Sequence, residues 1–187
     1  MNKFLQVLAT REAGAVRRCH IIPHHGQYNI AQHSYGALSL LLLLHPGPSL
    51  ALIKAVQWHD VGERWLGDMP APAKYSNPDL GRVYEEAEQA ILETLELAQV
   101  LTEEETQWLK AVDTLDLWLW CWEEHRLGNK RVQQMFQVCF DVLMKRHDEG
   151  TLPGEVRFFV DNFNSNRGRL SDFFEEAMAD GPGKARG

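Results

Sequence analysis

Asn29-Ile30-Ala31-Gln32-His33-Ser34-Tyr35-Gly36-Ala37-Leu38-Ser39-Leu40-Leu41-Leu42-Leu43-Leu44 is the stretch on which the fold turns. The Asn29 side chain can accept from an orphaned amide of the first helical turn. Gln32, three residues on, can accept from the Asn29 backbone N–H, which completes a capping box. Pro46-Gly47 then stops the run. The same signals recur outward. Ser49 caps a second helix through Leu52, Val56 and His59. Asn77-Pro78 supplies a cap and a proline at the first helical position of a helix predicted through Ala98. Thr102-Glu103-Glu104-Glu105 is another capping box, with three acids at the positive end of the helix dipole. It opens a helix that should end near Gly128-Asn129. A further helix fits Arg131 to His147, stopped by Gly150 and Pro153, and a short last one is expected after Ser171. No alternating run bounded by tight hairpin turns interrupts this series. The expectation is an all-α protein with Gly67 to Lys74 as a loop. It should form a single-domain bundle of about six or seven helices over residues 1–180, followed by a flexible tail, 181–187.

Composition narrows the class. The 187 residues are 44% hydrophobic and 24% charged, the balance of a globular chain with enough material for a real core. Nineteen Lys+Arg stand against 26 Asp+Glu, giving a net charge of −7. A duplex nucleic-acid partner is disfavoured, because displacing counterions from a duplex needs a basic excess. Cys19, Cys121 and Cys139 form no CxxC pair and are odd in number, which suits a reducing compartment. The run from Ala37 to Leu44 falls far short of the ~20 apolar residues that span a bilayer. MNKFLQVLATREAG has no apolar signal-peptide core either. Cytoplasmic placement without a membrane partner is expected, in a bacterium or, for a phage-encoded chain, in the infected host.

The informative feature is where the ionisable groups fall. His33 shares a helical face with Ala37, Leu40, Leu41 and Leu44. Leu52, Ala55, Val56 and His59 make one stripe, with Asp60 on its flank. The segment Val112 to Trp122 is apolar nearly all round yet holds Asp113 and Asp116. A buried, unpaired carboxylate costs several kcal/mol, so partners must exist. His147-Asp148 is a useful contrast: it sits beside Lys145, Arg146 and Glu149 at a polar helix end and reads as surface. Two inward histidines and inward aspartates from separate helices would be satisfied together by one divalent cation, with Asp113 or Asp116 as the last ligand. Two imidazoles with carboxylates suit Co, Mn, Zn or Fe, one ion per subunit, better than Mg or Ca.

The order His33, His59-Asp60 and a later Asp resembles the H…HD…D pattern of HD-domain phosphohydrolases. The run His59-Asp60-Val61-Gly62-Glu63-Arg64-Trp65-Leu66-Gly67-Asp68-Met69-Pro70-Ala71-Pro72-Ala73-Lys74-Tyr75 is similar to the HD-x-x-E-x-x-x-GD-x-P-x-P-x-KY signature of their 5′-deoxynucleotidase branch. Small phage deoxynucleoside triphosphohydrolases, including dATP-removing enzymes, share the likeness. Gln32-His33-Ser34 resembles that family's EHS, and Leu109-Lys110-Ala111-Val112-Asp113-Thr114-Leu115 its VK-x-A-D-x-L, which selects Asp113 as the fourth ligand.

The resemblance implies an all-α HD fold and a metal set of His33, His59, Asp60 and Asp113. It implies catalytic roles for Glu63, Asp68 and Arg18, and substrate contacts from Arg17, Arg18, Cys19, Asp68 and Lys74. Arg18 corresponds to an arginine that faces the phosphate, and Asp68 to a residue near sugar and phosphate. Glu63, four residues past His59, would share its face if that helix continued one more turn. Cys19 stands where the deoxynucleotidases carry a tryptophan, so base selectivity does not transfer.

The expected reaction is water attack at the α-phosphorus of a 2′-deoxynucleotide. A dNMP would give deoxynucleoside plus phosphate, or a dNTP such as dATP deoxynucleoside plus triphosphate. Arg64, Lys74 and Arg82 are conceivable partners for extra phosphates. The alternatives are a non-catalytic nucleotide sensor, an HD hydrolase for (p)ppGpp or a cyclic dinucleotide, and a structural metal bundle. Relatives assemble as dimers or larger rings, and alternating Trp118, Trp120 and Trp122 could reach such an interface.

Overall fold

In the computed structural model, which describes residues 3–166, the helices are α1 (Lys3–Ala13), α2 (Ile30–Leu44), α3 (Leu50–Trp58), α4 (Glu63–Leu66), α5 (Ala71–Ser76), α6 (Pro78–Thr94), α7 (Glu103–Arg126), α8 (Gln133–Asp148) and α9 (Gly154–Asn166), of which α1 and α9 have no counterpart among the helices expected from the sequence. Among the described residues there is no strand. A single antiparallel bridge, Arg17 to Asn29, closes the loop before α2. Contacts divide the chain into Met1–Pro153, which contains α1 to α8, and a second unit that begins at Gly154 and contains α9. The helix expected after Ser171 and the tail at 181–187 lie outside the described residues.

Both capping boxes form as read. Asn29 Oδ1 accepts from Gln32 N at 3.0 Å and Gln32 Oε1 from Asn29 N at 3.2 Å. Thr102 and Glu105 repeat the pattern at the head of α7. Ser49 caps α3 through Leu52 N and donates to Glu105 at 2.5 Å, tying the starts of α3 and α7 together.

Three boundaries differ from the expectation. α6 stops at Thr94 rather than Ala98, because Glu96 turns into the left-handed region at φ 54°. Leu97 N then bonds back to Leu92 O. The predicted loop at 67–74 is half helix, since Pro72 sits in the first turn of α5. α3 ends at Trp58, and the chain makes a turn before α4 instead of continuing.

α7 is the organising element: α2, α3 and α8 all pack on it. Leu41 of α2, Leu52 and Val56 of α3, Val112, Leu115, Trp118 and Cys121 of α7, and Leu143 of α8 are fully buried. Each contributes roughly 1.5–3 kcal/mol of transfer free energy. A second cluster joins Ala9 and Ala13 of α1 to Val61, Leu95 and Leu97, with Gln6 Nε2 donating to Leu95 O at 2.7 Å. Trp118 stacks on Phe136, Trp120 stacks on Tyr28, and Arg126 lies over Trp122, so the tryptophans have intrachain partners. No helix among the described residues is long and apolar enough to cross a membrane.

Candidate metal centre and active site

Three elements bring the four expected side chains together: donor atoms of His33, His59 and Asp60 lie within 4.8 Å of one another, and Asp113 joins them against the two imidazoles. His33, in the first turn of α2, is wholly buried. His59 is the C-terminal cap of α3, and Asp60 follows it in the turn. Asp113 faces in from the middle of α7. His33 Nε2 and His59 Nε2 are 3.2 Å apart. Asp113 Oδ1 is 3.0 Å from the first and 3.7 Å from the second. Asp60 approaches His59 Nε2 at 3.2 Å and His33 Nε2 at 3.6 Å.

The second nitrogen of each ring tests whether a cation belongs there. His59 Nδ1 donates to the Val56 carbonyl at 2.9 Å, and His33 Nδ1 donates to Asp116 Oδ2 at 2.7 Å. Both Nε2 lone pairs are therefore aimed at each other and at two carboxylates. Lone pairs so placed repel unless a positive charge sits among them. In a site without a cation only a proton can supply it. Burial by itself would depress His59, but Asp60 and Asp113 raise it to about 9. Burial would likewise raise Asp113, yet both imidazoles hold it well below the usual carboxylate range. The donor set fits a divalent cation.

Around this cluster the other expected residues divide into those the fold brings together and those it does not. The Arg18 guanidinium bonds Asp60 and lies 3.9 Å from both Glu63 Oε1 and Asp113 Oδ1. Burial would lower its pKa, but these acids hold it charged. Glu63 is not on a continued α3. It opens α4 after the 59–62 turn, buried and still beside the cluster, with Oε2 lacking a hydrogen-bond partner. Burial, then Asp60, push its carboxyl up. Asp68 Oδ2 accepts from Cys19 N at 3.1 Å and lies 3.4 Å from His20 Nδ1, which bridges the two loops at the mouth. Burial pushes the Cys19 thiol up to about 12. Arg17 is exposed and contributes its backbone bridge to Asn29. Lys74 Nζ lies 5.1 Å over the Tyr84 ring.

Several residues outside the expected ligand, catalytic and substrate-contact set shape the site. Tyr84 donates to the Gly67 carbonyl, immediately before Asp68, and fixes the loop from α6. Gly67 needs its freedom there, at φ 75°. Asp116, read from the sequence as the rival to Asp113, bonds the far side of His33, and Tyr28 joins it. His24 packs edge-on to Trp120, and His25 bonds the buried Glu124, so both anchor the loop rather than line the cluster.

Glu88 of α6 backs onto this region, packing against Gly62 closely enough that a Cβ there would stand 3.1 Å from Glu88 Cα. Burial, with Asp60 adding to it, raises its carboxyl from 4.5 to about 7. The folded value lies above the unfolded one, so protonation favours the fold. The stability contribution is fully present below about pH 4.5 and is lost as the pH rises through about 7. Glu88→Gln in chelator-treated protein should therefore be more stable than the parent at pH 8. After discounting for partial exposure the gain is about 1 kcal/mol, or about 2–4 °C in Tm. Thermal unfolding should show the gap closing near pH 4.5; a gap unchanged with pH would refute the assignment.

Comparison with known proteins bears on this geometry. A family model described as 5′-deoxynucleotidase YfbR-like matches residues 3–166. A 5′-deoxynucleotidase of Vibrio atlanticus is 28% identical over 165 residues, covering 72% of this chain and 79% of that protein. Among solved structures, an HD-domain phosphohydrolase from Listeria innocua superposes with a TM-score of 0.73 at 18% identity, covering 89% of each chain. The cyanophage S-2L HD phosphohydrolase DatZ, solved with dA and one catalytic Zn²⁺, gives 0.66 at 19% identity, covering 85% of this chain and 94% of that one. At these identities the two structures establish the shared HD fold.

Proposed function

The chain belongs to the YfbR-like 5′-deoxynucleotidase family, and from that premise we propose that it hydrolyses 2′-deoxynucleoside 5′-monophosphates to deoxynucleoside and phosphate. The observation that carries this reading is the convergence of His33, His59, Asp60 and Asp113 beside a buried, carboxylate-bound Arg18. Those four side chains would hold one divalent ion. Two nitrogen and two oxygen donors favour Co, Mn, Zn or Fe over Mg. When bound, such an ion polarises the phosphoryl oxygen and acidifies water near neutral pH.

The remaining chemistry falls to the chain. Arg18 offers its planar fork to the phosphate oxygens and to the charge that develops on them. Glu63, with Oε2 uncommitted, takes the proton of the attacking water in its ionised form, which the charge of a cation beside Asp60 would favour against the upward push of burial. The new O–P bond forms as the P–O5′ bond breaks, and the proton taken up by the departing 5′-oxygen balances the one Glu63 removed. Asp68 holds the Cys19 loop over the site. Arg17, Cys19 and Lys74 stand at its periphery as substrate contacts.

A monophosphate is favoured over a triphosphate because the candidate arginines for further phosphates are engaged elsewhere. Arg64 bonds Glu12, and Arg82 bonds Glu86 at 2.7 Å. Self-association belongs to the same reading, resting on the exposed apolar side chains of Tyr35, Leu42, Leu43 and Leu50.

The test is phosphate release from dNMP, rNMP and dNTP panels, using chelated protein resupplied with Co²⁺, Mn²⁺, Zn²⁺ or Fe²⁺. Metal-dependent phosphate from dNMPs is expected. Inert deoxynucleotides with metal demonstrably bound would leave a nucleotide sensor in place of an enzyme.

A further inference from the structure

Asp116 is a carboxylate that the reaction above does not use. It stands on α7 one turn beyond Asp113, and its Oδ2 takes two hydrogen bonds, from His33 Nδ1 at 2.7 Å and from the Tyr28 hydroxyl at 2.9 Å. Tyr28 is buried and stacks on Trp120, with ring centroids 4.4 Å apart and planes 11° apart, so its hydroxyl is aimed by a rigid support. On the facing helix, Gly36 lies three residues after His33. A Cβ there would collide with Asp116 Oδ1 and come within 2.9 Å of its Cγ. The carboxylate occupies the space that the missing side chain leaves. The loop before α2, α2 itself and α7 thus combine to hold one anion on the far nitrogen of His33.

We propose that Asp116, set by Tyr28 and Gly36, is a positioning residue that makes His33 a stronger metal ligand. The inference rests on reading the cluster as a metal centre. Its physical basis is the chemistry of the imidazole ring. A carboxylate accepting the Nδ1 proton fixes the tautomer, holds the ring plane, and pushes electron density toward Nε2, the atom that faces His59 and Asp113. A neutral acceptor would fix the tautomer without the same increase in donor strength. Asp116 is not itself placed as a ligand, because its bonding oxygen sits against Nδ1, on the side of the ring away from the donor cluster.

The experiment titrates the chelated full-length chain with Co²⁺ against a chromophoric chelator and records the visible spectrum of the bound ion. Asp116→Asn keeps the shape and removes the charge, and should weaken Co²⁺ binding by about 10–100-fold. Gly36→Ala should give a similar loss with Asp116 still present, because the new methyl displaces its carboxylate. Tyr28→Phe keeps the stacked ring and loses only the hydroxyl, and should weaken binding severalfold. It decides the matter if either other variant fails to fold by thermal unfolding. Folded Asp116→Asn and Tyr28→Phe proteins with parental affinity and an unchanged Co²⁺ spectrum would overturn the inference, leaving Asp116 a structural hydrogen-bond partner. A parent chain that takes up no divalent ion would overturn this inference together with the metal-centre reading. Uptake by the parent with no change in the variants would overturn this inference alone.

Discussion

Asp60→Ala should lower deoxynucleotide hydrolysis by at least about 10³-fold while the helices stay folded. Asp60 approaches both Nε2 atoms and bonds Arg18, so under the proposed function one substitution removes a cation ligand and frees the guanidinium assigned to the phosphate. A bound metal contributes several kcal/mol to stabilising a phosphoryl transition state, and ~4 kcal/mol corresponds to ~10³ in rate. The fold should survive because Asp60 lies in the turn after α3, outside the buried set of Leu41, Leu52, Leu115 and Trp118. Phosphate release, metal content and far-UV circular dichroism together check this. Activity within tenfold of the parent, with full metal content, would remove Asp60 from the ligand set.

Arg18→Ala should cost about 10²–10³ in kcat, the usual loss when a preorganised donor to developing charge is deleted. Its effect on metal binding should have the opposite sign. Arg18 is a buried cation beside the carboxylates that would hold another cation, within 3.9 Å of Asp113 and bonded to Asp60. Removing it lifts a like-charge repulsion, so metal affinity should hold or rise as activity falls. Arg18→Lys should recover little, since a single ammonium cannot reproduce a bidentate fork. Steady-state kinetics with a parallel Co²⁺ titration separate the outcomes. Activity and metal lost together would mean that Arg18 organises the ligands rather than the substrate.

Much of the fold was legible because it is written in local chemistry. The boxes at Asn29 and Thr102, the Ser49 cap and the Asn77-Pro78 start depend on groups within a few residues of one another, and each forms where the sequence puts it. The misjudged boundaries lack such marks. α6 ends at a non-glycine residue with positive φ, and the break between α3 and α4 has no proline. There the close approach of Gly62 to Glu88 sets the chain direction, and that contact spans distant parts of the sequence. Glu63 reaches the cluster all the same, by a turn instead of a helical repeat.

The sequence by itself determined the all-helical class and the residues that carry ionisable groups on apolar faces. Periodicity and capping act over one or two helical turns, and those distances are visible along the chain. The resemblance had already picked Asp113 as the ligand; only the tertiary structure decided what Asp116 touches. Asp113 and Asp116 are three residues apart, and both lie on the side of α7 that meets α2. The axial position of His33 puts its Nε2 beside the first and its Nδ1 against the second. That division depends on the rotation and height of one helix against another, which is fixed by packing between residues some 80 positions apart and leaves no trace in local spacing.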